Sequence, residues 1–294
     1  QSIRFEQLSK TSYSIFNENF FTGTENFEVS YTIIENGKPI ETKILPASIS
    51  PQETVRIYVV LEGKLKKSKE YFINFSVKLK KATSMLEKGH EVAADQFLLK
   101  KPEVVAANSS NDKLKAKKDK KSNAYTFSGK EFEYTFNKEG FGLQSMKFKG
   151  EELLKESLEL NFWRAPVDND FGAYKPNKRP KDAAYFKWRE AAKVFELKNV
   201  TYIKPKGKTA KGKLGKHEGQ LVYEFYHPTI KSTNTITYTI KSDGSIHVNS
   251  ELKVDNSNKL GYLPRYGFRL AISKANENVV YYGKGPFENY EDRN

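Results

Sequence analysis

Period-two alternation of apolar and polar residues dominates this chain, and it sets the fold class before anything else does. Val29, Tyr31 and Ile33 alternate with polar neighbours, as do Val55, Ile57 and Val59, and then Ile73, Phe75, Val77 and Leu79. Residues two apart lie on one face of a strand, so each run describes a sheet with one apolar and one wet face. Turn chemistry separates the runs: Asn36-Gly37-Lys38-Pro39 supplies a tight reversal, and Ser50-Pro51 opens another segment. Strands at this spacing predict an antiparallel sandwich of immunoglobulin type over residues 1–104, closing with a strand from Val92 to Leu99.

The apolar pattern lapses between Lys101 and Ala124. Six lysines crowd into Lys113 to Lys121, and such a stretch buries too little to offset the entropy of ordering it. Residues 105–124 therefore read as a lysine-rich linker, with a second domain over residues 125–294. There Phe132, Tyr134 and Phe136 share one face, and Ile246, Val248, Leu252 and Val254 share another, which suits a large antiparallel sheet. Residues 204–219, rich in Lys and Gly, read as an exposed hairpin connection. One segment departs from strand periodicity. Tyr185, Trp188, Ala192 and Phe195 fall at helical spacings, which predicts a short amphipathic helix over 182–195 with Asp182 favoured at its N-terminus. The expectation is an all-β chain with one short helix.

Composition narrows the functional classes. There is no Cys, which excludes disulfides, thiolate catalysis and Cys-based zinc sites. No apolar run approaches the roughly 20 residues of a membrane-spanning helix, so a membrane is not an expected partner. The formal charge of +14 invites a nucleic-acid reading, yet only eight of the 50 basic residues are Arg, and the lysine block has no aromatic for base stacking. A lysine-coated surface accounts for the charge without a nucleic-acid partner. The four histidines, His90, His217, His227 and His247, form no i,i+4 pair, and no metal site is expected. Neither periplasm nor cytosol is favoured.

Two dense motifs stand out, Asn161 to Gly172 (NFWRAPVDNDFG) and Tyr281 to Arg293 (YYGKGPFENYEDR). In the first, Asp168 and Asp170 would share a strand face, and glycoside hydrolysis uses paired carboxylates. The same residues could begin a calcium loop, although the downstream ligands are missing, or they could be a strand end capped by Asx hydrogen bonds before a glycine turn. In the second, Glu288, Asn289, Asp292 and Arg293 read either as a sugar-binding cluster or as a buried network tying the turn to the sheet. Buried Arg–carboxylate groupings favour the network, and Arg164 earns the same reading. Trp163, Trp188 and Tyr282 could stack on sugar rings, but large aromatics at strand and helix spacing are more often core residues.

Both motifs resemble the signatures near the C-terminus of the large bacterial β-galactosidases, the lacZ-like members of glycoside hydrolase family 2. The segments from Gly89 to Ala93 (GHEVA), Phe141 to Leu143 and Leu263 to Gly267 (LPRYG) fall in the same family order. The resemblance implies a second immunoglobulin-like domain followed by a large sandwich of galactose-mutarotase type, incomplete at its C-terminus. It implies a parent that is a retaining exo-β-galactosidase of terminal β-D-galactosides, with this portion walling the substrate pocket and supporting assembly. The alternative is a carbohydrate-binding or assembly module without hydrolase activity. On this resemblance no catalytic residue lies in the chain. Asp168, Asn169, Asp170 and Gly172 are candidates for the pocket or its lid. The parent's Mg and Na ions belong to a catalytic barrel outside these residues, and no cofactor is expected within them. The implied partners are that barrel and the other parent domains, a β-galactoside, and further copies in a homo-oligomer.

Overall fold

The computed structural model describes residues 1–46, 48–61, 63, 65–102, 113–167, 184–209, 212–255, 260 and 263–283. It is nearly all β, in two compact units, Gln1–Asn108 and Ser109–Asn294.

The first unit contains strands β1 (Ile3–Gln7), β2 (Ser12–Asn17), β3 (Phe27–Glu35), β4 (Lys38–Leu45), β5 (Thr54–Tyr58), β6 (Tyr71–Leu79) and β7 (Glu91–Lys100). They form two antiparallel sheets, ordered β1-β2-β5 and β4-β3-β6-β7. The alternation in the sequence decides which side chains point inward: on β6, Tyr71, Ile73, Phe75, Val77 and Leu79 are buried. Phe75 is the centre of this core, stacked on Phe5 at 4.6 Å and meeting Tyr13 edge-on at 4.9 Å. Asn36 and Gly37 both take positive φ, 47° and 79°, the backbone of a two-residue hairpin turn whose twist matches its strands. The outward face is polar at mid-sheet, where Thr32 meets Thr42 at 3.0 Å and Gln96 donates to Asn74 at 2.8 Å.

The second unit contains β8 (Lys115–Lys118), β9 (Tyr125–Ser128), β10 (Phe132–Phe136), β11 (Leu143–Phe148), β12 (Glu151–Glu152), β13 (Leu154–Asn161), a helix α1 (Ala184–Ala191), β14 (Glu196–Ile203), β15 (Lys208–Thr209), β16 (Gly212–Lys213), β17 (Glu218–His227), β18 (Ser232–Lys241), β19 (Ile246–Lys253) and β20 (Gly267–Ile272). Its sheets run β12-β11-β10-β9-β8, β14-β17-β18-β19, β13-β20 and the small exposed hairpin β15-β16. One aromatic core joins them. Phe136 packs on Tyr238 at 5.1 Å and edge-on to Phe127 at 6.0 Å. The phenols of Tyr223 and Tyr238 cross that core and donate to the carbonyls of Asn137 and Phe141 at 2.7 and 2.6 Å, which fixes the β10–β11 turn. Burial pushes both phenols well above the ordinary tyrosine range.

Two expectations change. The lysine block is not linker throughout, because Lys115–Lys118 pairs with β9 as an edge strand. An edge strand needs one apolar face, and Leu114 and Ala116 supply it at alternate positions while the lysines stay in water. The helix is shorter than 182–195. It ends at Ala191, and the amides of Lys193 and Val194 close the last turn on the carbonyl of Glu190, both at 3.0 Å. Phe195 then leaves the helix to pack on Phe141 at 4.4 Å. Asp182 and the Tyr185 side chain lie outside the described residues.

Candidate functional site

A groove of about 670 Å³ runs along the outer face of β13 in the second unit. Its origin is strand periodicity. Leu158, Leu160 and Phe162 face the core, so Ser157, Glu159, Asn161 and Trp163 face the groove. That single row presents a hydroxyl, a carboxylate, a carboxamide and an indole.

The opposite wall comes from β20 and the end of α1. Glu159 stands across from Arg269 in the β13–β20 register, and their side chains meet at 3.4 Å. Arg189 lies over the Trp163 ring at 5.7 Å, a cation–π contact, and Lys193, in the turn that closes the helix, lines the same groove. The Asn161 side chain accepts the Trp163 amide at 3.1 Å and so sets the angle at which the chain leaves the strand. Beneath the groove lie Phe141 and Phe195.

Neighbouring elements hold this wall in place. Phe162 is wholly buried, stacked on Tyr266 at 5.7 Å and edge-on to Trp188 at 6.0 Å. Tyr266 in turn accepts from the buried Asn234 amide at 2.7 Å and meets Ser250 at 2.6 Å. His227, with no exposed surface, places its Nδ1 2.6 Å from the carbonyl of Ala191, the end of α1. Desolvation lowers the His227 pKa, so the ring is neutral and its Nδ1–H is the donor. Gly142, at φ 102°, lets the turn beside Phe141 pass close to the sheet, since a Cβ there would stand 2.7 Å from Cζ of Tyr223.

Among the described residues the groove presents one carboxylate, Glu159, which meets Arg269. Among the described residues no three His, Asp or Glu side chains gather as metal ligands.

Comparison with known proteins gives this geometry a family. Residues 128–294 match the family described as the β-galactosidase small chain, and residues 13–100 match domain 4 of β-galactosidase. The chain belongs to the β-galactosidase family. It is 28% identical over 98% of its length to a β-galactosidase of Alteromonas mediterranea, and 28% identical over its full length to one of Clostridium acetobutylicum. A β-galactosidase of Priestia megaterium is 26% identical over 97% of the chain. The chain covers 28%, 30% and 26% of those three proteins, less than a third of each.

Of the residues singled out in the sequence, this β-galactosidase-family chain shows Arg164 half-buried beside the groove residue Trp163, its Nη1 donating to the carbonyl of Ala165 at 3.1 Å. Asp168, Asn169, Asp170 and Gly172, and the cluster Glu288, Asn289, Asp292 and Arg293, lie outside the described residues. Trp188 is a core residue, whereas Trp163 is only half-buried and lines the groove. Sequence reasoning missed Ser157, Glu159, Asn161, Arg189, Lys193 and Arg269. The period-two row ending at Trp163 and the i,i+4 pair Arg189 and Lys193 were the available signals; only the pairing of β13 with the distant β20 was not.

Proposed function

We propose that this chain is the non-catalytic C-terminal portion of a retaining exo-β-galactosidase that hydrolyses terminal β-D-galactosides, and that it walls the substrate pocket and supports assembly of a homo-oligomer. The carrying observation is that proteins named β-galactosidase match essentially the whole chain while the chain covers less than a third of their length. The groove chemistry agrees, since the one carboxylate among its described residues meets an arginine. In this reading the acid/base and nucleophilic carboxylates, with the Mg and Na ions, belong to a barrel elsewhere in the parent. Asp168, Asn169 and Asp170 contribute to the pocket rim, and Gly172 is the hinge of a gate beside it, glycine being able to absorb a backbone change that other residues resist.

The test is hydrolysis of a chromogenic β-galactoside by residues 1–294 and by the longer parent polypeptide. Turnover is expected from the parent alone. Turnover by residues 1–294, lost on Asp168→Ala or Asp170→Ala, would place the chemistry in this chain and overturn the reading. In the parent, Gly172→Ala should change kcat and KM together with little loss of stability; wild-type kinetics on several galactosides would remove the gate.

A further inference from the structure

We propose that the groove on the outer face of β13 binds an acidic saccharide, one whose ring rests against Trp163 and whose carboxylate or sulfate meets Arg189 and Lys193. Sugar recognition needs an aromatic surface for the C–H face of the ring and planar hydrogen-bonding groups for its hydroxyls. The row Ser157, Glu159, Asn161 and Trp163 supplies both, because the strand points the first three to one side and Trp163 lines the same groove just beyond its end. The volume, about 670 Å³, lies within the range of small-molecule sites, roughly 300–1,000 Å³.

Charge selects among saccharides. Among the described residues the groove has three cations, Arg189, Lys193 and Arg269, against one carboxylate, Glu159. Glu159 is taken by Arg269, while Arg189 makes only its contact with Trp163 and Lys193 has no ion pair. Two cations that pair with no carboxylate among the described residues, one at the end of the helix and one in the turn that closes it, favour an anionic substituent over a neutral ring. Glu159 and Asn161 disfavour a purely electrostatic reading, since a phosphate backbone gains nothing from a carboxylate in its track.

The inference rests on the galactosidase reading only for its choice of galactose-derived probes. The whole chain, residues 1–294, is titrated with digalacturonic acid and with neutral galactobiose, following tryptophan emission. The chain has two tryptophans, and Trp188 is sealed in the core, so the signal reports Trp163. The acidic disaccharide should bind at least about tenfold more tightly at low salt, and that advantage should shrink as salt is raised. Arg189→Gln with Lys193→Gln should bring it down to the neutral level, and Asn161→Ala should weaken both sugars. Both cations are exposed, so their replacement does not endanger folding. Equal affinity for the two sugars, no response to either, or an acidic preference that survives the double substitution would each overturn the proposal. If the groove binds neither sugar while the parent hydrolyses β-galactosides, this inference fails and the galactosidase reading stands. If digalacturonic acid binds and the parent hydrolyses no β-galactoside, the reverse holds.

Discussion

Two strand pairs in the second unit show how the same backbone chemistry serves different ends. β17 and β18 pair over all ten residues without a break, from Glu218 with Lys241 to His227 with Ser232. β13 and β20 also pair antiparallel, but their register slips twice, between Leu154 and Glu156 and between Glu156 and Glu159. In the regular pair every second side chain enters the aromatic core, and the tyrosine hydroxyls are consumed in holding a turn. In the slipped pair the ladder is interrupted, and side chains on the outer face of β13 line the groove. Regular pairing is used for stability and irregular pairing for presentation.

The sharpest way to break that contrast is to truncate one aromatic from each. Phe225→Ala on β17 removes a buried ring that touches Phe141, Phe195 and Tyr223, and should cost about 3–5 kcal/mol in urea unfolding. Trp163→Ala removes a larger but half-buried ring and should cost roughly 1 kcal/mol. Equal costs would make Trp163 a core residue and the groove a packing defect.

Gly142 is where the two regions touch through backbone, since its turn borders the groove and presses on Tyr223 of the regular ladder. Alanine there meets both a left-handed φ of 102° and a 2.7 Å clash, so Gly142→Ala should destabilise by about 2–3 kcal/mol. Gly140 lines the same groove at φ 51°, and its Cβ would come no nearer than 3.8 Å to another atom, so Gly140→Ala should cost clearly less. A Gly142→Ala variant as stable as wild type would mean that the turn is free to move away from the sheet.

His227 ends the regular ladder and holds the helix that forms the groove wall. Burial lowers its pKa in the folded chain, so the unfolded chain takes up the proton first. Its contribution is therefore fully present above the unfolded value, about 6.5, and is lost as pH falls from there toward the folded value. Unfolding midpoints at pH 7.5 and 5.5 should differ more for the wild-type chain than for His227→Phe. Identical pH dependence in the two would detach His227 from acid sensitivity.

Much of the fold was legible because strand periodicity and turn residues are local signals. The β6 run from Tyr71 to Leu79, the Asn36-Gly37 reversal and the inward face of Phe132, Tyr134 and Phe136 follow from neighbours in sequence alone. The β8 edge strand was not legible, because its pairing with β9 is what outweighs a lysine run. The groove was half legible. Ser157, Glu159 and Asn161 share a face by periodicity, but the partner that neutralises Glu159 lies 110 residues away. Trp163 and Trp188 look alike in sequence, and only tertiary packing separates the ring that lines a groove from the ring that fills a core.

The smallest expected effect concerns the Glu159–Arg269 pair, and it separates binding from stability at the slipped ladder. The two side chains are 57% and 65% exposed and meet at 3.4 Å, so water and salt screen most of their attraction. Glu159→Gln and Arg269→Gln should each change unfolding free energy by about 0.5 kcal/mol or less. For the acidic saccharide their consequences should be opposite in sign. Removing Glu159 leaves Arg269 unpaired and raises the positive excess, which should tighten binding; removing Arg269 leaves a bare carboxylate facing the ligand, which should weaken it. If both variants lose several kcal/mol of stability, the pair is a structural clamp across the bulged strands and the contrast with the regular ladder collapses. If both leave stability and acidic-sugar affinity untouched, the ligand does not reach this end of the groove, and the contact zone contracts to Asn161, Trp163, Arg189 and Lys193.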